Sequence, residues 1–354
     1  PDLGFSGGNR VVAIYADRLK RRGHQVTVVS GHPITISLLD KLRSKLRGRG
    51  WPNEIGRAQP YFEELGIPVR VLEAHRPVMD KDIPDGDVII ATWWETAEWV
   101  KDLSASKGTK SHFIQHHEIF SYLPADRTRA AYRLPFKKIV ISRWLAETMS
   151  DVYGDSTSTL IYNSVETTQF HAPPRNKQNV PTIGFLYTTV NFKGPDILSS
   201  ALRILKDQLP NVRAVAFGSE QVSKAFPLPK WVEFHYRPPQ QNIRLLYSAC
   251  DVWMCGSRSE GFHLPPLEAM ACRCPVVSTR VGGPMDIIKD GKNGFLVDVD
   301  DAVRLADRTL QVLRLNDSNW QTMSAEAEKT ALNYTWDDAA ELFEAALIEA
   351  VAQR

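Results

Sequence analysis

The chain predicts an α/β fold built as two doubly wound parallel-sheet domains. Apolar strand-like runs alternate with helical patterns from end to end, a βαβα order that buries a parallel sheet between layers of helices. Its 354 residues exceed what one hydrophobic core usually organises. Near the middle, the polar, proline-containing stretch His171-Ala172-Pro173-Pro174-Arg175-Asn176-Lys177-Gln178-Asn179 interrupts the alternation and has the composition of an interdomain linker.

In the first half the strand-like runs are His24–Ser30, Val69–Leu72, Val88–Thr92, Ser111–Gln115, Lys138–Ser142 and Thr159–Tyr162. In the second they are Thr182–Leu186, Val212–Phe217, Val232–Tyr236, Val252–Cys255, Val276–Ser278 and Gly294–Val297. The expected boundaries are 1–170 for the first domain, 171–181 for the linker and 182–335 for the second domain. Thr335-Trp336-Asp337-Asp338 caps an amphipathic helix over Ala339–Val351, since Thr and Asp satisfy the free amides of a helix start.

Bulk properties exclude several classes. A hydrophobic content of 43% with 24% charged residues is that of an ordinary soluble domain. A net charge of +2 is too small for the concentrated basic footprint of a nucleic-acid binder. No apolar run approaches the ~20 residues of a membrane span, and no secretory leader is expected. Cys250, Cys255, Cys272 and Cys274 form no C-x-x-C pair and lie in apolar segments, so buried free thiols in a reducing cytoplasm are expected and a zinc site is not.

The densest chemistry lies in Ser259-Glu260-Gly261-Phe262-His263-Leu264-Pro265-Pro266-Leu267-Glu268-Ala269-Met270-Ala271. A helix opens at the proline pair, because proline suits the first helical turn. The N–H groups of Gly261, Phe262 and His263, with Leu264 at the helix start, then converge on a positive helix end that suits a diphosphate. Glu260 precedes that point and Glu268 lies about one turn inside. Two carboxylates around a bound anion, each able to accept from hydroxyls, match the outline of a nucleotide-sugar. Two glutamates at this spacing are common, so the whole run carries the reading, together with Pro275-Val276-Val277-Ser278-Thr279-Arg280-Val281-Gly282-Gly283.

Other segments add partners. Gly7-Gly8-Asn9-Arg10 precedes a helix running to Arg22 and lets backbone approach a ligand closely, although a plain tight turn has the same composition. The G-x-G-x-x-G spacing of a dinucleotide site is missing. Thr188-Thr189-Val190-Asn191-Phe192-Lys193-Gly194 puts Lys193 beside a helix start, where it can neutralise a leaving diphosphate. Gln115-His116-His117-Glu118 follows a strand, a position that often faces ligand. Lys41–Trp51 is the concentrated basic run, with Leu38, Leu39, Leu42 and Leu46 at helical spacing. It reads either as a solvated surface helix or as one lying on an anionic membrane.

These motifs resemble those of the family 4 retaining glycosyltransferases, whose architecture is GT-B. The likeness is specific over the E-x7-E region and continues through Gly282-Gly283-Pro284-Met285-Asp286-Ile287-Ile288 and Asp290-Gly291-Lys292-Asn293-Gly294; it is looser but continuous in the first half. The resemblance implies two Rossmann-like domains facing across a cleft, with Glu260 toward the donor sugar and Glu268 on the nucleotide ribose. It implies that Gly7 and Gly8 lie across from the diphosphate, that a histidine of the pair, His116 being the nearer, serves the acceptor side, and that Asn163 in Ile161-Tyr162-Asn163-Ser164-Val165-Glu166 is structural. It also implies that the last helix, 336–354, returns to complete the first domain, and that the first strand of the fold is missing before Pro1, by truncation or disorder.

One departure stands out. The family pairs the lysine with an arginine where this chain has Thr188, so Arg258, Arg10 or loop amides are the expected replacements. The implied reaction moves a sugar from a nucleoside diphosphate to an acceptor hydroxyl with retention, without a divalent metal or other cofactor, and domain closure excludes water. Glu118 stays open as a carboxylate nucleophile. A glycan or lipid-linked acceptor is expected, with polysaccharide or glycolipid synthesis at the inner membrane face. A nucleotide-sugar epimerase would instead convert donor alone, and a non-catalytic nucleotide-sugar or glycan-binding module would bind without turnover.

Overall fold

The structure is a computed structural model that describes residues 7–31 and 60–353; the basic run Lys41–Trp51 lies outside the described residues. The twelve expected strands are all present. Thr182–Leu186 (β7), Val232–Tyr236 (β9), Val252–Cys255 (β10) and Gly294–Val297 (β12) match expectation to the residue. Their neighbours are Arg213–Gly218 (β8) and Val276–Thr279 (β11).

The described residues divide into two compact units. The second takes in Val140–Thr148 and Leu160–Ala339. Its six-stranded sheet has the order β12-β11-β10-β7-β8-β9, and all five strand pairs are parallel. The strand order reverses between β7 and β10, so the loops leaving their C-terminal ends diverge and open a crevice. β10 and β11 are buried at every residue, as central strands covered on both faces must be. Phe185, Met254 and Val277 pack with Leu198, Leu202, Leu305 and Leu310 of the helices Pro195–Gln208 and Ala302–Leu313.

The segment expected as a linker is held on this second unit. Arg175 lies 4.4 Å from the Trp320 ring centre and 3.4 Å from Asp251 Oδ1, and Lys177 Nζ donates to the Leu313 carbonyl at 2.8 Å. Polar composition alone does not show that these cations have fixed partners.

The first unit comprises the described residues up to Ile139, Met149–Thr159, and those from Ala340 on. Val28–Ser30 (β1) pairs in parallel with Val69–Val71 (β2). Val88–Ala91 (β3), Thr109–Ile114 (β4), Lys137–Val140 (β5) and Thr159–Leu160 (β6) form a second sheet in that order. The last helix, Trp336–Ala352, sends Phe343 onto this unit, where it stacks on Tyr15 at 4.3 Å and meets Phe113 edge-on at 5.2 Å. Glu344 accepts from Arg22 and contacts His24, each at 2.6 Å. Among the described residues no helix is long and apolar enough to cross a membrane.

Candidate functional site

The loops after β7 and β10 carry most of the expected donor residues, and glycines bring them together. β7 runs through Thr188 into a single tight turn, Asn191–Lys193, ended by Gly194 at φ 64°. A β-carbon on Gly194 would stand 1.9 Å from the Gly256 carbonyl oxygen, so the lysine turn rests directly on backbone just past β10. Lys193 Nζ therefore reaches Glu260 and donates to both carboxylate oxygens at 2.8 Å. Ser257 Oγ donates to Oε1 at 2.7 Å, and His263 Nδ1 makes a close contact with the same oxygen.

Glu260 is only 4% exposed. Burial alone would push its carboxyl up, but the His263 ring and the Lys193 ammonium outweigh that and hold it well below the usual carboxylate range. It is a buried anion with its charge balanced. The sequence reading placed this carboxylate on a loop open to ligand hydroxyls; in the structure all its oxygens already have partners.

The backbone beyond Glu260 is pinned from behind. β-Carbons on Gly282 and Gly283 would lie 2.2 Å from the carbonyl oxygens of Glu260 and Phe262, so only glycine lets the helix Gly282–Ile287 sit there. His263 caps the helix Leu264–Ala271 with φ 67° and ψ 80°, a left-handed conformation uncommon outside glycine. Among the described residues, no acceptor takes the N–H groups of Gly261, Phe262 or His263. Glu268, inside that helix and 7% exposed, accepts from the Tyr247 hydroxyl at 2.9 Å.

Two expected donor residues are engaged elsewhere. Arg258 donates to Asp196 at 2.9 and 2.7 Å, to Asp300 at 2.6 Å and to the Asn191 carbonyl at 2.9 Å, and its own N–H bonds the Phe192 carbonyl at 2.7 Å. It straps the β7 loop to the β10 loop, and these carboxylates, Asp196 first, raise its pKa further. It does not stand as the free cation that Thr188 leaves wanting. The Thr188 hydroxyl accepts from the Val190 amide at 3.2 Å, while Thr189 bonds Glu220 by hydroxyl at 2.5 Å and by amide at 3.3 Å.

In the first unit, Gly7 and Gly8 are the first residues of the helix Gly7–Arg21, where the sequence suggested a loop before it. Gln115 Nε2 donates to the Gly8 carbonyl at 3.2 Å, which joins that helix start to the end of β4 beside His116. His116 Nδ1 lies 3.0 Å from the His117 carbonyl oxygen, and His117 Nε2 lies 2.7 Å from the Tyr153 hydroxyl. Burial first, then His116 and Arg129, lowers His117 to about 4, so its ring is neutral at physiological pH.

Glu118 is buried against the Trp94 amide at 3.0 Å and the Tyr132 hydroxyl at 3.4 Å. Burial lifts its carboxyl to about 8. A protonated acid closing a helix start is a poor nucleophile, so the structure speaks against that expectation.

Ser257, Tyr247 and Glu220 were not foreseen. Ser257 lies three positions before Glu260, but in a loop that spacing carries no facing rule. Tyr247 is 21 positions from Glu268, and only the packing of the helix Ile243–Ser248 against Leu264–Ala271 pairs them. The four cysteines are free and buried. Among the described residues no group of three or more His, Cys, Asp or Glu is arranged to hold a metal ion.

Residues 166–330 match the family described as glycosyl transferases group 1. The chain is 31% identical over 172 residues to D-inositol 3-phosphate glycosyltransferase of Corynebacterium urealyticum, covering 45% of this chain and 40% of that one. It is 30% identical over 258 residues to the protein of that name from Acidothermus cellulolyticus, covering 65% and 56%. The chain thus spans from two fifths to just over half of the length of these curated relatives. The HepE protein of Anabaena, solved in complex with UDP-glucose, superposes with a TM-score of 0.72 at 18% identity, covering 99% of this chain and 98% of that one. That likeness shows the fold, two Rossmann-like domains of the GT-B kind. Over residues 166–330 the chain is thus similar to the glycosyl transferases group 1, and its fold is GT-B.

Proposed function

We propose that the protein is a retaining glycosyltransferase that moves a sugar from a nucleoside diphosphate to an acceptor hydroxyl without a divalent metal. One observation carries this reading. At the β7/β10 switch point adjacent loops bring together Lys193, the buried carboxylate of Glu260 and three amides that have no acceptor among the described residues, and the helix that follows carries the buried carboxylate of Glu268. The amides of Gly261, Phe262 and His263 together with Lys193 receive the pyrophosphate, Glu268 reads the ribose and Glu260 the sugar. Negative charge grows on the leaving phosphate as the glycosidic bond breaks, and these donors face it without reorganising solvent. The acceptor hydroxyl bonds the anomeric carbon from the face the phosphate leaves, and its proton passes to the departing phosphate oxygen. The UDP-glucose bound by HepE supports a sugar-nucleotide donor, and the name glycosyltransferase among the relatives supports sugar transfer.

His116 and the Gly8 helix start are the proposed acceptor-side residues of the first unit. A polysaccharide or glycolipid acceptor, with Lys41–Trp51 resting on an anionic membrane at the cytoplasmic face, completes the proposal.

A thermal-shift screen against UDP, GDP, ADP and dTDP with their common sugars tests the donor site. A ligand of the folded state raises the melting temperature according to its affinity, so one base should stand out; no shift with any of them contradicts the reading. Turnover should also persist in EDTA.

A further inference from the structure

Glu260 is gripped asymmetrically. Oε1 takes the Ser257 hydroxyl at 2.7 Å and Lys193 at 2.8 Å, and lies against His263 Nδ1. Among the described residues Oε2 takes only Lys193, at 2.8 Å. The Lys193 side chain is 28% exposed, whereas those of Glu260 and His263 are each 5% exposed. The lysine is thus the partner with solvent access and a flexible stem. It is also the cation an arriving diphosphate would draw away. Once it leaves, Oε1 stays fixed from two sides and Oε2 opens.

The backbone supports a role for the His263 ring. A residue other than glycine at φ 67° is strained, and such strain persists where the surroundings over-determine it. Glycine would suit the conformation better but would remove the ring from Glu260.

We propose that Ser257 and His263 are positioning residues that anchor Glu260 through Oε1, so that capture of the donor diphosphate by Lys193 presents Oε2 to the hydroxyls of the donor sugar. This deepens the proposed donor site and rests on it. Sugar recognition then depends on diphosphate capture, because a sugar lacking the diphosphate meets a carboxylate whose second oxygen is still occupied.

The test compares Ser257→Ala and His263→Gly with wild type by calorimetric titration. The probes are UDP, GDP, ADP and dTDP, each alone and as its glucose and N-acetylglucosamine conjugates. Both variants should keep a cooperative thermal transition, since Ser257→Ala deletes a hydroxyl and His263→Gly relieves the backbone. For the base that wild type binds, affinity for the sugar conjugate should fall about tenfold more than affinity for the bare diphosphate, as expected for losing one charge-assisted hydrogen bond. Equal losses for both ligands, or no loss for either, would overturn the positioning role. If wild type binds none of the probes, the donor site itself is wrong, and that outcome is distinct from the other two.

Discussion

Deleting the Lys193 ammonium would leave Glu260 ionised, 4% exposed and short of the donor that serves both its oxygens at 2.8 Å. A hydrogen bond to a charged group contributes roughly 1.5–3 kcal/mol, and stripping one partner from a buried pair costs up to about 3–5 kcal/mol. Ser257 and His263 stay in place and Lys193 is partly hydrated, which lowers the figure. Lys193→Ala should therefore destabilise the protein by about 2–3 kcal/mol. Glu260→Gln should cost less, about 1 kcal/mol, because it leaves no buried anion behind. In the double variant most of the first loss disappears, giving a coupling of about 1–2 kcal/mol. Urea unfolding of the four proteins reads these values directly, provided the slope with denaturant is unchanged. Additivity within about 0.5 kcal/mol would refute the claim that this pair is a buried, interdependent unit.

Other outcomes follow from the same geometry. Glu268→Gln should raise the donor KM, since ribose contacts serve ground and transition states alike, whereas Lys193→Ala should mainly lower kcat; steady-state kinetics with the identified donor showing the reverse would mean the roles are exchanged. Gly283→Ala drives a β-carbon to 2.2 Å from the Phe262 carbonyl, whereas at Gly291, with φ 76°, the nearest atom is a Phe295 ring carbon at 3.9 Å. Melting curves should show Gly283→Ala losing several times more stability than Gly291→Ala, which faces only backbone strain of about 1 kcal/mol. Burial raises Glu118 from 4.5 to about 8, so the folded state favours its proton. Its contribution is complete below pH 4.5 and is lost as the pH rises through 8. Glu118→Gln keeps an acceptor without a charge, and its melting temperature should gain on wild type between pH 6 and pH 9; a gap that stays constant over that range would show that Glu118 is already ionised in the fold.

Much of the scaffold was readable because its central strands are continuous apolar runs. Thr182–Leu186 and Val252–Cys255 carry that pattern to their ends, and the structure starts and stops them there. Boundaries slipped where other forces decide. His24–Val26 has strand-like side chains, yet the strand begins at Val28. Gly7 and Gly8 look like a loop, yet they lie within the first helical turn.

At the site, Glu260, Glu268 and Lys193 were legible as residue types at suggestive places. Their pairing was not. Lys193 and Glu260 are 67 positions apart and meet because β7 lies beside β10, a neighbourhood set by sheet order. The same holds for Arg258, which looks like a spare cation in sequence and is bound to Asp196 and Asp300 in space.

The most direct measurement is a crystal structure of the protein with the nucleoside diphosphate that raises its melting temperature most. The phosphates should sit on the amides of Gly261, Phe262 and His263, with Lys193 drawn off Glu260 and onto phosphate oxygen. A diphosphate bound away from these amides, with the Lys193–Glu260 pair intact, would contradict the account.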